Sequence, residues 1–407
     1  MLEGKNIMFL VDRYNPYPSA NGICCENIIE AFLENHCNVW IGSYKLPNDK
    51  LNKHNNCNLF SIGNITEIDN KTSFFVKLFH YCRWIFPFRK YPATLNYKKA
   101  NAIIKKCRKI IAEESINYVI CFHFPVEVLY AGYKLKSFFP KLIFISYIID
   151  PIYGGFVPNH LSVDYCNKKN IRWENLFFER YDLNILMKSN FRLHDSTIIN
   201  DRILKKTIAL DVPYLKNNNK ILQNKRENHT PVVFFCGLLE YPRRNVKFIL
   251  DLAKKMINVK FVFAGRTNYK ELMNSKPYDN IEYLGEISHT QVLKHLDESD
   301  FFLNLGVKSK SAVSGKIFEY MSYGKPIIST YSFDEEPCIN YLKQYPLSYL
   351  IDENDTNLDR QVKDLSSFIN NNKNCLVNFD SVKKQFIENL PESFYYFVDN
   401  FFEGGKK

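Results

Sequence analysis

Short apolar runs alternate with helical stretches along most of this 407-residue chain, and that alternation restricts its architecture more than any other feature. Residues 6–12 (NIMFLVD) form a continuous apolar run of strand length. Residues 13–22 (RYNPYPSANG), dense in Pro, Asn, Ser and Gly, read as a loop. Residues 23–35 then place Ile23, Ile28, Phe32 and Leu33 at helical spacing, and residues 38–43 (NVWIGS) make a second strand. Strand, loop, helix, strand at this length is a βαβ unit, which requires a parallel sheet. The spacing predicts further helices over 97–114 and 126–138, and strands over 118–122 and 141–149.

The pattern starts again in the second half. Strands are predicted at 231–236 (PVVFFC), 259–264 (VKFVFA), 280–285, 300–305 and 326–330, with helices at 246–256, 289–299 and 316–323. Between the halves, residues 216–230 (KNNNKILQNKRENHT) are polar and rich in Asn and Lys, the composition of a linker. The chain therefore divides into two Rossmann-like α/β domains, 1–215 and 216–385. An aromatic tail helix from 386, reaching toward the end at 407, is able to pack back on the first domain. At about 150 residues per domain, this length supports two or three independent cores.

Composition removes several alternatives. With 46% hydrophobic and 24% charged residues the chain is neither disordered nor a membrane bundle. The apolar stretch at 142–149 falls well short of the roughly 20 residues a spanning helix needs, and Ser146 interrupts it. The first residues carry no basic n-region or small-residue cleavage site, so a cytoplasmic protein is expected. Eleven cysteines without a C-x-x-C agree with a reducing compartment, where thiols act as small buried hydrophobes. The net charge of +11 favours phosphate-bearing partners without choosing among nucleic acid, anionic lipid and nucleotide.

In open parallel sheets ligands bind beyond the carboxyl ends of the strands, which confines the search for a site to the loops after strands. The most informative is 300–330, DFFLNLGVKSKSAVSGKIFEYMSYGKPIIST. A strand ends at Leu305, a Gly/Ser/Lys loop follows, and a helix opens at Lys316. Its free amides, the absence of a side chain at Gly315 and the ammonium of Lys316 suit a phosphate. Glu319, one turn further, is able to accept hydrogen bonds from ribose hydroxyls. The same residues also fit a plain helix start capped by Ser314 with a Lys316–Glu319 surface pair.

The run SGKIFEYMSYGKPIIST resembles the donor-site signature of GT-B-fold glycosyltransferases of the family-4 type, which use sugar nucleotides. The resemblance implies two Rossmann-like domains facing an interdomain cleft. It implies Glu319 on the nucleotide ribose, and Ser314, Gly315 and Lys316 around the diphosphate. The chain departs from the pattern at Ser311, where many relatives carry a second acid that contacts the sugar. A second segment, CGLLEYPRRN at 236–245, resembles the part of the family that supplies a diphosphate-binding cation. That places Arg244 on phosphate, where a guanidinium donates two parallel hydrogen bonds; Leu238 stands where relatives often have another Arg. By the same resemblance Gly265 and Ile287 flank the base, Ile287 beside a uracil edge. Gly22 lets the first loop approach the donor phosphate. His123 and Asp150, at strand ends of the first domain, flank the transferred sugar, His123 on a hydroxyl and Asp150 orienting the acceptor or acting as base. As isolated residues, both also fit purely structural roles.

These readings converge on a glycosyltransferase that moves a sugar from a nucleoside-diphosphate sugar, UDP-linked by preference, to a glycan or lipid-linked acceptor, as in surface polysaccharide synthesis. The nucleotide sugar is a co-substrate, and no cofactor or metal is expected because no Asp-x-Asp occupies the place of a metal motif. The family implies retention at the anomeric carbon. No G-x-G-x-x-G follows the first strand, which argues against a nicotinamide enzyme, and nucleic acid is not an expected partner. A sugar-nucleotide epimerase of the same fold and a non-catalytic scaffold remain as alternatives. Residues 71–91 (KTSFFVKLFHYCRWIFPFRKY) interleave aromatics with cations, which suits either a core helix with a basic edge or contact with the cytoplasmic membrane face.

Overall fold

The computed structural model describes residues 2–14, 19–45, 57–64, 91–153, 157, 162–194, 200–218, 230–273, 278–310 and 312–404. Residues 71–90 of the aromatic and basic segment, Ser311 and most of the 216–230 linker lie outside the described residues. The chain forms two compact units, residues 1–213 with 391–407, and residues 214–390.

The first unit is built on a parallel sheet in the order β3-β2-β1-β4-β5-β6-β7. Its strands are β1 (Asn6–Arg13), β2 (Asn38–Lys45), β3 (Cys57–Asn64), β4 (Tyr118–His123), β5 (Ile143–Ile148), β6 (Leu183–Met187) and β7 (Thr207–Leu210). Ile7 of β1 pairs with Val39 on one side and Tyr118 on the other, so β1 lies inside the sheet and is apolar on both faces. Helix α1 (Ala20–Glu34) follows β1, and its N-cap Ser19 accepts the Gly22 amide. Helices α2 (Tyr97–Glu113) and α3 (Val126–Phe138) complete the predicted pattern.

Helix α4 (Val163–Arg180) has no counterpart among the predicted elements. It is strongly charged, and its buried stripe Cys166, Asn170, Trp173 and Phe177 includes a polar residue, which blurs the apolar period. Strand β3 is similar, because its half-exposed burial leaves no continuous apolar run. A short helix α5 (Asp201–Leu204) precedes β7.

The second unit carries a parallel sheet in the order β10-β9-β8-β11-β12-β13. The strands are β8 (Val232–Cys236), β9 (Lys260–Ala264), β10 (Ile281–Tyr283), β11 (Phe301–Asn304), β12 (Ile327–Tyr331) and β13 (Ser348–Asp352). Between them lie α6 (Val246–Lys255), α7 (Lys270–Met273), α8 (His289–Glu298), α9 (Lys316–Met321), α10 (Pro337–Leu342), α11 (Leu358–Asn372) and α12 (Phe379–Gln385). Helix α8 opens with a Ser288/Gln291 capping box. At its other end the buried Lys325 ammonium donates to the carbonyls of Leu296, Asp297 and Ser299 at 2.6–2.8 Å.

The last helix, α13 (Pro391–Gly404), belongs to the first unit. It lies on α1, where the Phe32 and Tyr395 rings meet edge to face at 5.1 Å, and Phe394 packs against Tyr147 at 5.1 Å. Asp399 accepts the Leu2 amide at 2.7 Å, which ties the two chain ends to one surface. Among the described residues no helix is long and apolar enough to cross a membrane.

Candidate functional site

In the second unit the turns after β8, β9 and β10 are fastened to one another through the backbone. The Gly237 amide donates to Ala264 at 2.9 Å, Leu239 to Arg266 at 2.9 Å, and Gly265 to Gly285 at 2.7 Å. The approach is so close that a Cβ on Gly265 would lie 2.0 Å from the Gly237 carbonyl oxygen, and Gly265 also takes a positive φ of 120°. Only glycine satisfies both conditions. The three turns line an open, shallow pocket of about 250 Å³ whose walls include Gly237, Leu238, Gly265, Glu286 and Ile287. Gly265 and Ile287, assigned to the base by the sequence resemblance, therefore border one recess.

The start of α9 adjoins this pocket. Lys316 Cε lies 3.5 Å from the position a Cβ on Gly237 would occupy. The Lys316 ammonium stands 3.6 Å from Glu319 Oε2, with the two side chains 35% and 24% exposed. Burial works against the Lys316 ammonium, but Glu319 outweighs it and holds the lysine charged. Gly315 packs under the Tyr214 ring, where a Cβ would come within 3.0 Å. The Ser314 side chain does not cap the helix, and its amide donates to Cys338 Sγ at 3.3 Å. Among the described residues the Gly315 and Lys316 amides donate to no protein acceptor, so two N–H groups and an ammonium share one short stretch.

Arg244, after β8, is more constrained than its sequence indicates. Its guanidinium donates to the Leu305 carbonyl at the end of β11 and lies 5.9 Å over the Phe235 ring. Burial and the neighbouring Arg243 pull its pKa down. Two acids outside the sequence reading stand close by. Glu336, 1% exposed, accepts the Val307 amide at 3.0 Å, and burial raises its carboxyl to about 7. Burial likewise raises Glu353. In the sequence Glu336 is the last of three consecutive acids before a proline, which reads as an ordinary exposed helix start. Two further residues of the donor run have structural roles here: Lys325 closes α8, and Gly324 supplies a positive φ of 70° after α9.

In the first unit the predicted residues lie at the carboxyl edge of the sheet. Gly22 is already inside α1, with its amide held by Ser19 Oγ at 3.0 Å. His123 ends β4 and is 4% exposed, with Nδ1 2.6 Å from the Asp150 carbonyl oxygen. Because a carbonyl only accepts, the ring proton sits on Nδ1. Burial lowers His123 to about 4, against the pull of that carbonyl, so the ring is neutral at pH 7. Asp150 itself is exposed. Among the described residues no three His, Cys, Asp or Glu side chains gather as a metal-binding set.

Two α/β units, each with its own parallel sheet and helical connections, define the GT-B fold. Within it, residues 230–356 match the family described as glycosyl transferases group 1, and the chain resembles family-4-type enzymes. That match supports glycosyl transfer as the class of reaction. Solved structures agree on the fold. A lipopolysaccharide outer core galactosyltransferase, WaaB in its apo form, superposes with a TM-score of 0.55 at 14% identity over 98% of this chain and 99% of its own. HepE from Anabaena, in complex with UDP and glucose, gives 0.54 at 14% identity over 96% and 94%. The catalytic domain of starch synthase IV from Arabidopsis thaliana, bound to ADP and acarbose, gives 0.62 at 9% identity over 100% of both chains. No curated protein matches the sequence.

Proposed function

We propose that this protein transfers a sugar from a nucleoside-diphosphate sugar, with UDP as the nucleotide, to a glycan or lipid-linked acceptor. The observation that carries the reading is the adjacency, within one unit, of the glycine-walled pocket at Gly237 and Gly265 to the Lys316–Glu319 pair. The pocket takes the base, with Ile287 at its edge. Glu319 accepts from the ribose hydroxyls. Departure of the diphosphate builds negative charge, which Lys316 and the amides of Gly315 and Lys316 stabilise without having to reorganise. Arg244, with one nitrogen held by Leu305, adds a fixed cation. In this reading the reaction proceeds with retention and without a metal ion, and Asp150 serves the acceptor side. Support for UDP comes from a neighbour whose structure contains UDP and glucose.

Calorimetric titration of UDP, GDP, ADP and CMP, in the presence of a chelator, tests the donor site. UDP is expected to bind, and Glu319→Ala is expected to weaken it by about 1–3 kcal/mol through loss of a charged hydrogen bond. Equal affinity of wild type and variant would remove Glu319 from the site. Absence of binding by all four nucleotides would overturn the reading.

A further inference from the structure

The chain between β11 and α9 ends on the Gly315 and Lys316 amides, and the neighbouring elements grip it through its backbone. The Gly306 amide donates to Thr330 Oγ1 at 3.1 Å, the Val307 amide to Glu336 Oε1 at 3.0 Å, and the Ser314 amide to Cys338 Sγ at 3.3 Å. Arg244 holds the Leu305 carbonyl, and the Lys308 amide donates to the Arg243 carbonyl at 3.3 Å. The three side-chain acceptors come from the end of β12 and the start of α10, and none is more than 2% exposed. There is no slack at Gly306, where a Cβ would lie 2.8 Å from both Glu336 Oε2 and the Thr330 carbonyl oxygen.

In an exposed loop, water satisfies such amides. Here buried side chains do so instead, which ties the chain to one conformation. The consequence reaches the next two residues. With the Ser314 amide given to Cys338, the Gly315 and Lys316 amides that follow donate to no protein acceptor among the described residues. Donors fixed in advance need no rearrangement when charge develops opposite them. In this stretch the backbone is itself the functional group, so holding the chain holds the donors. Glu336 suits the task because burial raises its carboxyl to about 7. In its protonated form it accepts the Val307 amide through the carbonyl oxygen and sets no negative charge against a diphosphate.

We propose that Thr330, Glu336 and Cys338 are positioning residues that hold the amides of Gly306, Val307 and Ser314 so that those of Gly315 and Lys316 converge on the donor diphosphate. Buried as they are, they act through the backbone of the loop. Their effect on the diphosphate rests on the nucleotide-sugar reading; their hold on the loop does not.

The test is calorimetric titration of UDP and of uridine at pH 6, where Glu336 keeps its proton. It compares the full-length wild type with Thr330→Val, Glu336→Ala, Glu336→Gln, Cys338→Ala and Cys338→Ser. Uridine reports the base and ribose contacts, so the ratio of the two affinities isolates the diphosphate. Loss of a buried acceptor is expected to weaken UDP about tenfold in Thr330→Val and Glu336→Ala, and about threefold in Cys338→Ala, because sulfur accepts more weakly. Uridine is expected to bind every variant within about twofold of wild type. Glu336→Gln and Cys338→Ser keep an acceptor, and are expected to hold UDP within about twofold as well. Equal weakening of UDP and uridine would mean that these residues only support the unit, and would overturn the proposal. So would unchanged UDP affinity in all three acceptor-free variants, or Glu336→Gln and Cys338→Ser as weak as Glu336→Ala and Cys338→Ala. Should Glu336→Ala not fold, Thr330→Val and Cys338→Ala decide. A wild type that binds neither UDP nor uridine sinks the nucleotide reading, and amide hydrogen exchange at Gly306, Val307 and Ser314 then decides the hold. Exchange about tenfold faster in the acceptor-free variants supports it, and unchanged exchange overturns it.

Discussion

At the scale of single residues, burial decides what a side chain is able to do, and Glu336 shows it most directly. Its carboxyl accepts the Val307 amide in a site that excludes water, and burial raises it to about 7. In the unfolded chain an ordinary glutamate titrates near 4.3. Between these values the folded protein holds a proton that the unfolded chain has released, so the stabilisation is complete below about pH 4 and is lost as pH rises through about 7. At about 1.4 kcal/mol per tenfold, that amounts to about 4 kcal/mol. Urea unfolding followed from pH 5 to pH 8 is expected to show stability falling with pH, and Glu336→Gln to flatten the slope. A wild-type slope unchanged by the substitution would mean that Glu336 ionises as in water. None of this is legible in the sequence, where Glu335 and Glu336 look alike. Gly265 was legible as a turn, but the reason it must be glycine, the carbonyl of Gly237, belongs to another strand.

At the scale of elements, α13 carries the clearest energetic consequence. It docks on the first unit after the chain has passed through the whole of the second, and its Phe394 is 2% exposed between Tyr147 and Phe32. Phe394→Ala is expected to cost about 3–5 kcal/mol by removing buried area and leaving a cavity. Chemical denaturation read by hydrogen exchange in residues 1–213 would measure it, and a loss below about 1 kcal/mol would show that α13 is a loose appendage. Its helical character was readable from its aromatic spacing. Helix α4 was not readable, since the buried stripe runs through Asn170 and the surrounding residues are charged. That Asn170 faces inward because a loop carbonyl awaits it is a tertiary fact.

At the scale of the whole molecule, nucleotide binding ought to act on one unit. The proposed donor residues Arg244, Gly265, Ile287, Lys316 and Glu319 all lie in 214–390, a single continuous stretch. UDP at about a hundred times its Kd is expected to stabilise that unit by about 2.7 kcal/mol. Hydrogen exchange with and without UDP would show the added protection concentrated in residues 214–390. Protection confined to residues 1–213 would place the nucleotide elsewhere.

Periodicity alone was enough to determine the two parallel sheets, the order of most strands and helices, and the strand-end loops where a ligand could bind. Those properties follow from side-chain patterns a few residues long, and such patterns are written locally. What the tertiary structure decided is which loop residues meet: Gly237 with Gly265 and Lys316, Arg244 with Leu305, His123 with the carbonyl of Asp150. Each of these contacts joins positions separated by some 20 to 80 residues. They depend on the register and twist of neighbouring strands, and on desolvation that no local pattern records.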